Sequence, residues 1–333
     1  MPEPVIMLVL IAAGIAVLLY GGDLLVRGAT SLARKAGVPA LIVGLTIVAF
    51  GTSAPEMVVS AAAAIEGAPG LAIGNIVGSN IANILLVLGL PAVLAPLATK
   101  AAGVKRNAVI ALVLTGVFIW MGFDGGLSLG EGVALAVGIV AYITYLAIAA
   151  RGAEDDPVIA ELTDIDHMEG LPQTGVMIAV HTLAGLVLLP VGARLIVEGG
   201  VGVAEYFGVP EAVIGLTILA FGTSLPELAT AMVAALRKQA EMAIGNVIGS
   251  NIFNICAVGG ITGVAASAAT GQAAPVDAEF IRFDFWVMAG AMAAAALIVF
   301  SERPLGRVLG LIFALGYGGY LLALVAMNTR LLG

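Results

Sequence analysis

The sequence predicts an all-α membrane protein: ten transmembrane helices arranged as two inverted five-helix repeats, with broken helices 2, 3, 7 and 8 around a site at the membrane midplane. Three observations carry this reading. Of 333 residues, 61% are hydrophobic and only 11% charged, against roughly 25% charged in a soluble domain, so lipid is the solvent this composition suits. Ten apolar stretches approach or exceed the roughly 20 residues that cross a bilayer. A shift of 171 positions lays Gly37–Ile84 on Gly208–Ile255 without a gap, with 26 of 48 pairs identical. Low charge, a net charge of -8 and the lack of a short repeat exclude fibrous, disordered and nucleic-acid-binding readings. The single cysteine, Cys256, allows no internal disulfide and no cysteine-built metal site.

In chain order the first five stretches fall at about 5–26, 38–65, 71–97, 107–122 and 127–150. The first follows Met1–Pro4 with no basic segment before it and no polar domain behind it, so it reads as a membrane helix and not as a cleaved signal. The only markedly polar insert, 151–172, carries Glu154, Asp155, Asp156, Glu161, Asp164, Asp166 and Glu169, and it is a linker too short for a domain. Five further stretches follow at about 174–197, 209–236, 242–266, 284–300 and 305–327. The chain therefore divides into a first repeat, 1–150, an acidic linker, 151–172, and a second repeat, 173–333. An odd number of helices per repeat makes the second copy enter the membrane from the opposite side, with a site expected where the copies meet.

The basic residues set the orientation. With the N-terminus outside, 11 of 14 fall on the cytoplasmic side: Arg27, Arg34, Lys35, Lys100, Lys105, Arg106, Arg151, Arg237, Lys238, Arg303 and Arg307. Arg194, Arg282 and Arg330 stay outside. This asymmetry is the positive-inside signal, placing both termini outside and the linker in the cytoplasm. Ten acids, Asp277, Glu279 and Asp284 among them, fall on the outer side, where they would concentrate cations.

The long matches are GLTIVAFGTSAPE (Gly44–Glu56) with GLTILAFGTSLPE (Gly215–Glu227), and AIGNIVGSNIANI (Ala72–Ile84) with AIGNVIGSNIFNI (Ala243–Ile255). Each places a glutamate, Glu56 or Glu227, inside an apolar segment, where a charge costs roughly 2.5 kcal/mol or more unless solvated or paired. No basic residue lies at comparable depth. Pro55 and Pro226 lack an N–H, so the carbonyls of Gly51 and Gly222 lose their helical partners and each helix is expected to kink. Thr52 and Glu56 share a face at i, i+4, as do Thr223 and Glu227. In the following helices Asn75, Ser79 and Asn83, repeated as Asn246, Ser250 and Asn254, form a polar stripe beside the small residues Gly74, Gly78, Gly245 and Gly249. Interhelical hydrogen bonding competes with ion binding as the explanation of this stripe, and suits Asn75 and Asn246 best. Carboxylate, hydroxyl, amide and carbonyl oxygens without sulfur or a histidine cluster suit hard cations.

With these residues the chain resembles the Ca2+/cation antiporter superfamily, in its prokaryotic sodium/calcium exchanger branch. GTSxPE followed by GNxxGSNxxN, present twice, is similar to that family's two alpha-repeats, and the resemblance covers nearly the whole chain. It implies a central divalent site from Glu56, Glu227, Thr52 and Thr223. It also implies flanking Na+ sites using Ser53, Ser79, Ser224, Ser250 and the carbonyls of Ala49 and Ala220, with Asn83 and Asn254 at the middle. Several relatives carry aspartate where this chain has Asn254, which removes a possible third carboxylate.

The expected function is thus a secondary antiporter of the cell (inner) membrane that exchanges Ca2+ for Na+ by alternating access. Ca2+/H+ exchange on the same two glutamates is the alternative. The chain reads as a transporter and not an enzyme, with Ca2+ and Na+ as transported substrates, the lipid bilayer as its surroundings, no cofactor, and neither nucleic acid nor a protein partner implied. No GxxxxGK[ST] occurs, so coupling rests on competition between ions. His181, lone in the sixth stretch, and Cys256 read as packing residues. Asp23 with Arg27, and Arg194 with Glu198, are i, i+4 pairs of reversed sign on helices 1 and 6, worth a few tenths of a kcal/mol each as exposed pairs or else marking the ends that open in turn.

Overall fold

The structure, a computed structural model, describes residues 3–101, 103–153, 170–207 and 220–331. In chain order the helices are α1 (Glu3–Ala36), α2 (Ala40–Thr52), α3 (Ala54–Ile65), α4 (Pro69–Leu94), α5 (Val104–Gly122), α6 (Leu129–Ala153) and α7 (Gly175–Tyr206). They continue as α8 (Ala220–Thr223), α9 (Leu225–Leu236), α10 (Ala240–Thr270), α11 (Phe280–Ser301) and α12 (Arg307–Leu331). Among the described residues, eight helices are long and apolar enough to cross a membrane, or nine if the bent pair α2 and α3 counts as one span. The expected span at 209–236 lies partly outside the described residues, which hold its α8 and α9 segments. The linker 154–169 and its expected cytoplasmic placement also lie outside them.

Glycines decide which helices approach closely. In α1, Gly14, Gly21 and Gly28 recur every seventh residue: Gly14 meets Gly192 of α7, Gly21 meets Gly185, and Gly28 lies against Thr182, while Gly199 of α7 lies against Met7 and Ile11. A Cβ on Gly14 would lie 2.8 Å from Gly192 O, and one on Gly185 would lie 2.8 Å from Gly21 O. The contacts run in opposite chain directions, so α1 and α7 are antiparallel neighbours with backbones touching. In membranes, where apolar side chains gain little by leaving lipid, such backbone packing is a main source of helix association. Gly245 and Gly249 likewise seat α10 on α2, with added Cβ atoms 2.8 Å from Leu41 O and 2.7 Å from Ala49 Cβ.

Burial sorts the helices into layers. The apolar windows of α4 and α10 are 78% and 67% buried, whereas those of α1, α6 and α12 are 22%, 28% and 17% buried, so α4 and α10 form the centre and the others face lipid. The centre is where the sequence motifs lie. A two-residue antiparallel ladder, Gly126–Leu127 (β1) with Ala274–Pro275 (β2), ties the α5–α6 turn to the segment before α11. Ser128 begins α6 with a capping box, its N–H and Oγ donating to Glu131 Oε2 at 2.8 and 2.6 Å.

Two expectations are corrected. Helices 3 and 8, expected to be broken, run on as α4 and α10, each through a π-helical turn. The second helix is broken, as expected. It stops at Thr52, Ser53 leaves helical geometry (φ -85°, ψ 0°), and α3 restarts at Ala54 with a 43° bend. Pro55 therefore sits in the first turn of a new helix, where its missing N–H costs nothing, and Ser224 (φ -86°, ψ 1°) repeats the break before Pro226 in α9. Asp284, expected among the outer loop acids, is instead 4% exposed at the end of a π-helical turn in α11 and accepts a hydrogen bond from Tyr320 at 2.7 Å. The apolar run used to place that helix begins only at Asp284, and the preceding polar turn hid its earlier start.

Candidate cation site

Two broken helices and two central helices converge on the buried motif residues. Ser53 and Ser224 occupy the breaks, so the side chains that follow, Glu56 and Glu227, begin new helices deep in the protein. Both glutamates are 1% exposed. Asn83 and Asn254 each open a π-helical turn, Asn83–Leu88 in α4 and Asn254–Val258 in α10, a distortion that re-aims side chains and frequents functional sites.

The two copies are cross-linked by their hydroxyls and amides. Thr52 Oγ1 donates to Asn246 Oδ1 at 3.2 Å, with Ala49 O at 3.3 Å and Ser250 Oγ at 3.4 Å also within reach. The repeat-related Thr223 donates to Asn75 Oδ1 at 3.5 Å. Ser53 Oγ donates to Glu227 Oε1 at 3.4 Å. Asn75 Nδ2 is held by Ser60 Oγ at 2.9 Å and the Glu56 carbonyl at 3.4 Å, and Ser79 Oγ donates to Asn75 Oδ1 at 3.5 Å. Asn75 and Asn246 thus make the interhelical bonds expected of them.

What remains unpaired defines the site. Both carboxylate oxygens of Glu56, Oε2 of Glu227, both amide atoms of Asn83 and of Asn254, and the Ser224 hydroxyl are buried without a hydrogen-bond partner. Four ion pairs occur among the described residues, and none includes Glu56 or Glu227. The two carboxylates instead lie near enough to act on each other electrostatically. Two buried acids facing each other without a counter-charge are costly, and a cation between them removes both the repulsion and the missing bonds. The Ala49 carbonyl is already engaged by the Ser53 N–H at 3.0 Å as well as by Thr52. Of Ala220 only its place at the start of α8 is described.

A cleft of about 1180 Å³ reaches this centre from one side. Its walls include Asn75, Ser79 and Thr223 at depth, Gly74 and Gly78 along α4, and Asp277, Glu279 and Arg194 further out. Glu56 and Glu227 do not line it. Asp284 and Tyr320 do, so the buried carboxylate of α11 belongs to the wall of the cleft and not to the central pair.

Sequence reasoning passed over several residues that build the site. Ser60 is fully buried and positions Asn75, and Asn251 Nδ2 donates to the Asn80 carbonyl at 3.4 Å, joining α10 to α4. Asn80 and Asn251 stand in the repeated GSN triplets, so their duplication was a visible signal. Ser60 has no duplicate, its counterpart being Ala231.

A buried pair of carboxylates inside a bundle of apolar helices, with hard oxygen donors around it and a cleft leading towards it, fits a membrane transporter of cations. The profile of the sodium/calcium exchanger protein family matches residues 6–150 and 177–326, and the chain belongs to that family. It is 38% identical to the putative antiporter CaxA of Alkalimonas amylolytica, across 94% of this chain and 96% of that one. It is 35% identical to the inner membrane protein YrbG of Escherichia coli, across 92% and 93%. The sodium/calcium exchanger MaX1 of Methanosarcina acetivorans is 33% identical across 75% of this chain and 81% of its own. Among solved structures, the sodium-calcium exchanger NCX_Mj superposes with a TM-score of 0.78 at 31% identity, covering 94% of this chain and 97% of that one. The protein is a multi-helix membrane protein and a cation antiporter of the Ca2+-transporting class.

Proposed function

We propose that the chain exchanges Ca2+ for Na+ by alternating access, with Glu56 and Glu227 as the carboxylates for which both ions compete. The observation that carries this reading is the set of buried, unpartnered oxygens on Glu56, Glu227, Asn83 and Asn254. Two carboxylates carry -2, which one Ca2+ neutralises and several Na+ neutralise singly. Thr52, Thr223, Ser53, Ser224, Ser79, Ser250 and the carbonyls of Ala49 and Ala220 complete the oxygen shell. Such neutral oxygens serve Na+ as well as Ca2+, whereas a proton needs only the carboxylates.

Antiport follows from charge. With the site empty, two buried acids repel, so crossing between states unloaded is disfavoured. Loaded with either ion, the centre is near neutral and can be sealed from water. Each ion then returns the carrier for the other, and a ligand moves the equilibrium only by its differential affinity for the two states. In this reading the chain has ten spans in two inverted repeats, 1–150 and 173–333, lies in the cell membrane with both termini outside, and keeps the acidic linker in the cytoplasm.

The test is 45Ca2+ uptake into proteoliposomes holding the purified protein, loaded with Na+ or with K+ at one pH. Uptake driven by internal Na+ alone is expected. Uptake driven by a pH gradient and indifferent to Na+ would replace the proposal with Ca2+/H+ exchange.

A further inference from the structure

The ion pair of Asp23 and Arg27 is not the isolated surface pair its i, i+4 spacing implies. Asp23 Oδ2 accepts from Arg27 Nε at 2.8 Å, while Oδ1 accepts from Arg237, which follows α9 and lies 214 positions away. Arg27 also donates to the Gly170 carbonyl at 3.1 Å. The three side chains are only 22%, 23% and 35% exposed. They join α1 to the end of α9 and to the segment before α7.

Moving each member by the repeat shift of 171 gives Arg194, Glu198 and Glu66. The signs reverse at every position: acid, base, base becomes base, acid, acid. In this second set only the local pair forms, with Arg194 Nε donating to Glu198 Oε1 at 2.7 Å, and these side chains are 81% and 47% exposed. Glu66 makes no ion pair among the described residues.

The packing beneath the two sets differs in the same sense. Around Asp23, α1 packs on α9: a Cβ on Gly22 would lie 3.3 Å from both Ala229 O and Val233 Cγ2, and Ala229 is 7% exposed. In the other copy the corresponding helices, α7 and α3, are not packed together to a comparable extent. Val58, the counterpart of Ala229, is 69% exposed, and the cleft runs between Val59 and Ala68 on one wall and Arg194 on the other. One copy is closed with its interhelical pair made, and the other is open with its pair unmade.

Membrane orientation accounts for Arg27 and Arg237 with their acidic counterparts, since basic residues favour one side. It does not account for Asp23 or Arg194, each of which carries the minority sign at its own end. We infer that these residues form two charge-reversed latches: Asp23–Arg237 holds α1 against α9 in the state seen here, and Arg194–Glu66 closes α7 against α3 in the alternate state. They are positioning residues, touching no ion, that set which side of the carrier is open. This rests on the alternating-access reading above, but its test does not depend on which ion is carried.

The test places a reporter cysteine at Val59, on the wall of the open cleft, in a Cys256→Ala background, and measures labelling by a membrane-impermeant maleimide in liposomes without Ca2+. Asp23→Asn and Arg237→Gln are each expected to slow labelling about fivefold or more, by releasing the closed latch and populating the alternate state. The exchange Asp23→Arg with Arg237→Asp is expected to restore it, because the pair re-forms with opposite polarity. Glu66→Gln is expected to keep labelling fast. Unchanged labelling in both single variants, or a swap that stays slow, would overturn the latch. If the wild type fails to exchange Na+ for Ca2+ while this labelling pattern holds, the ion assignment falls and the latch stands.

Discussion

Ser53, in the break between α2 and α3, donates to Oε1 of Glu227 at 3.4 Å across 174 positions of sequence. The repeat-related Ser224 makes no such bond, and both oxygens of Glu56 are unpartnered. The two glutamates are equivalent in sequence but not in this state of the molecule. One is steadied by the opposite copy, and the other has no hydrogen-bond partner on either oxygen.

Because both carboxylates face one centre, Glu56→Gln and Glu227→Gln are each expected to lower Ca2+ affinity and uptake by about 100-fold or more, the scale of breaking a buried charge pairing. The measurement is 45Ca2+ uptake and equilibrium binding on monodisperse purified variants. Ser53→Ala, which removes one support of Glu227 and no charge, is expected to cost only about tenfold. A glutamine variant with near-normal uptake would remove that residue from the site.

If the two glutamates are the ligands as proposed, protons should compete with Ca2+ for the same oxygens. A proton on either glutamate removes one negative charge from a centre that needs two, so its sign is fixed: apparent Ca2+ affinity falls as pH falls. Titrating Ca2+ binding between about pH 8 and about pH 5.5 is the check, since a proton and Ca2+ would occupy the same carboxylate oxygens. A flat profile would mean that the acids are not ligands. The Na+-driven component of uptake should persist at the alkaline end.

The motif residues were legible in the sequence because the chain is duplicated. Chance apolar runs do not repeat a glutamate, a proline and three polar residues in register, so Glu56, Asn83 and their partners could be singled out without coordinates. Local pairs such as Arg194–Glu198 were legible from helical spacing. Arg237 as the partner of Asp23 was not, because 214 residues of chain separate them and only the docking of α9 on α1 brings them together. Asp284 was misplaced for a related reason. A carboxylate next to Arg282 and Glu279 reads as a loop, and only the hydroxyl of Tyr320 from α12 shows that the helix has already begun.

The glycines between α1 and α7 carry a stability prediction. Gly185→Ala would put a Cβ 2.7 Å from Leu25 N and 2.8 Å from Gly21 O, backbone atoms that cannot turn aside, so the helices must separate. A loss of about 1–3 kcal/mol is expected, the range for overpacked sites, read as a lowered unfolding temperature in detergent. Gly316→Ala and Gly318→Ala in α12, where no heavy atom lies within 4 Å of the added carbon, are the controls and are expected to leave the transition in place or raise it slightly. Equal shifts in all three would mean that helix propensity, and not the α1–α7 contact, governs the effect.

Asn83 and Asn254 supply the last prediction. Both are 1% exposed, both open a π-helical turn, and both leave their amide oxygen and nitrogen unpartnered. Adding a carboxylate at either place gives the centre a third negative charge. Asn254→Asp is therefore expected to tighten Ca2+ binding at alkaline pH, to make that binding more sensitive to acid, and to slow turnover because the Ca2+-loaded centre would keep a net charge of -1 that must be buried. Asn83→Asp should do the same to a similar extent if the two amides face one site. Isothermal titration with Ca2+ at two pH values, alongside uptake rates, measures all three effects. A change confined to one of the two variants would show that the amides have unequal access to the ion, and that the pseudo-symmetry of the sequence is not kept in the chemistry of binding.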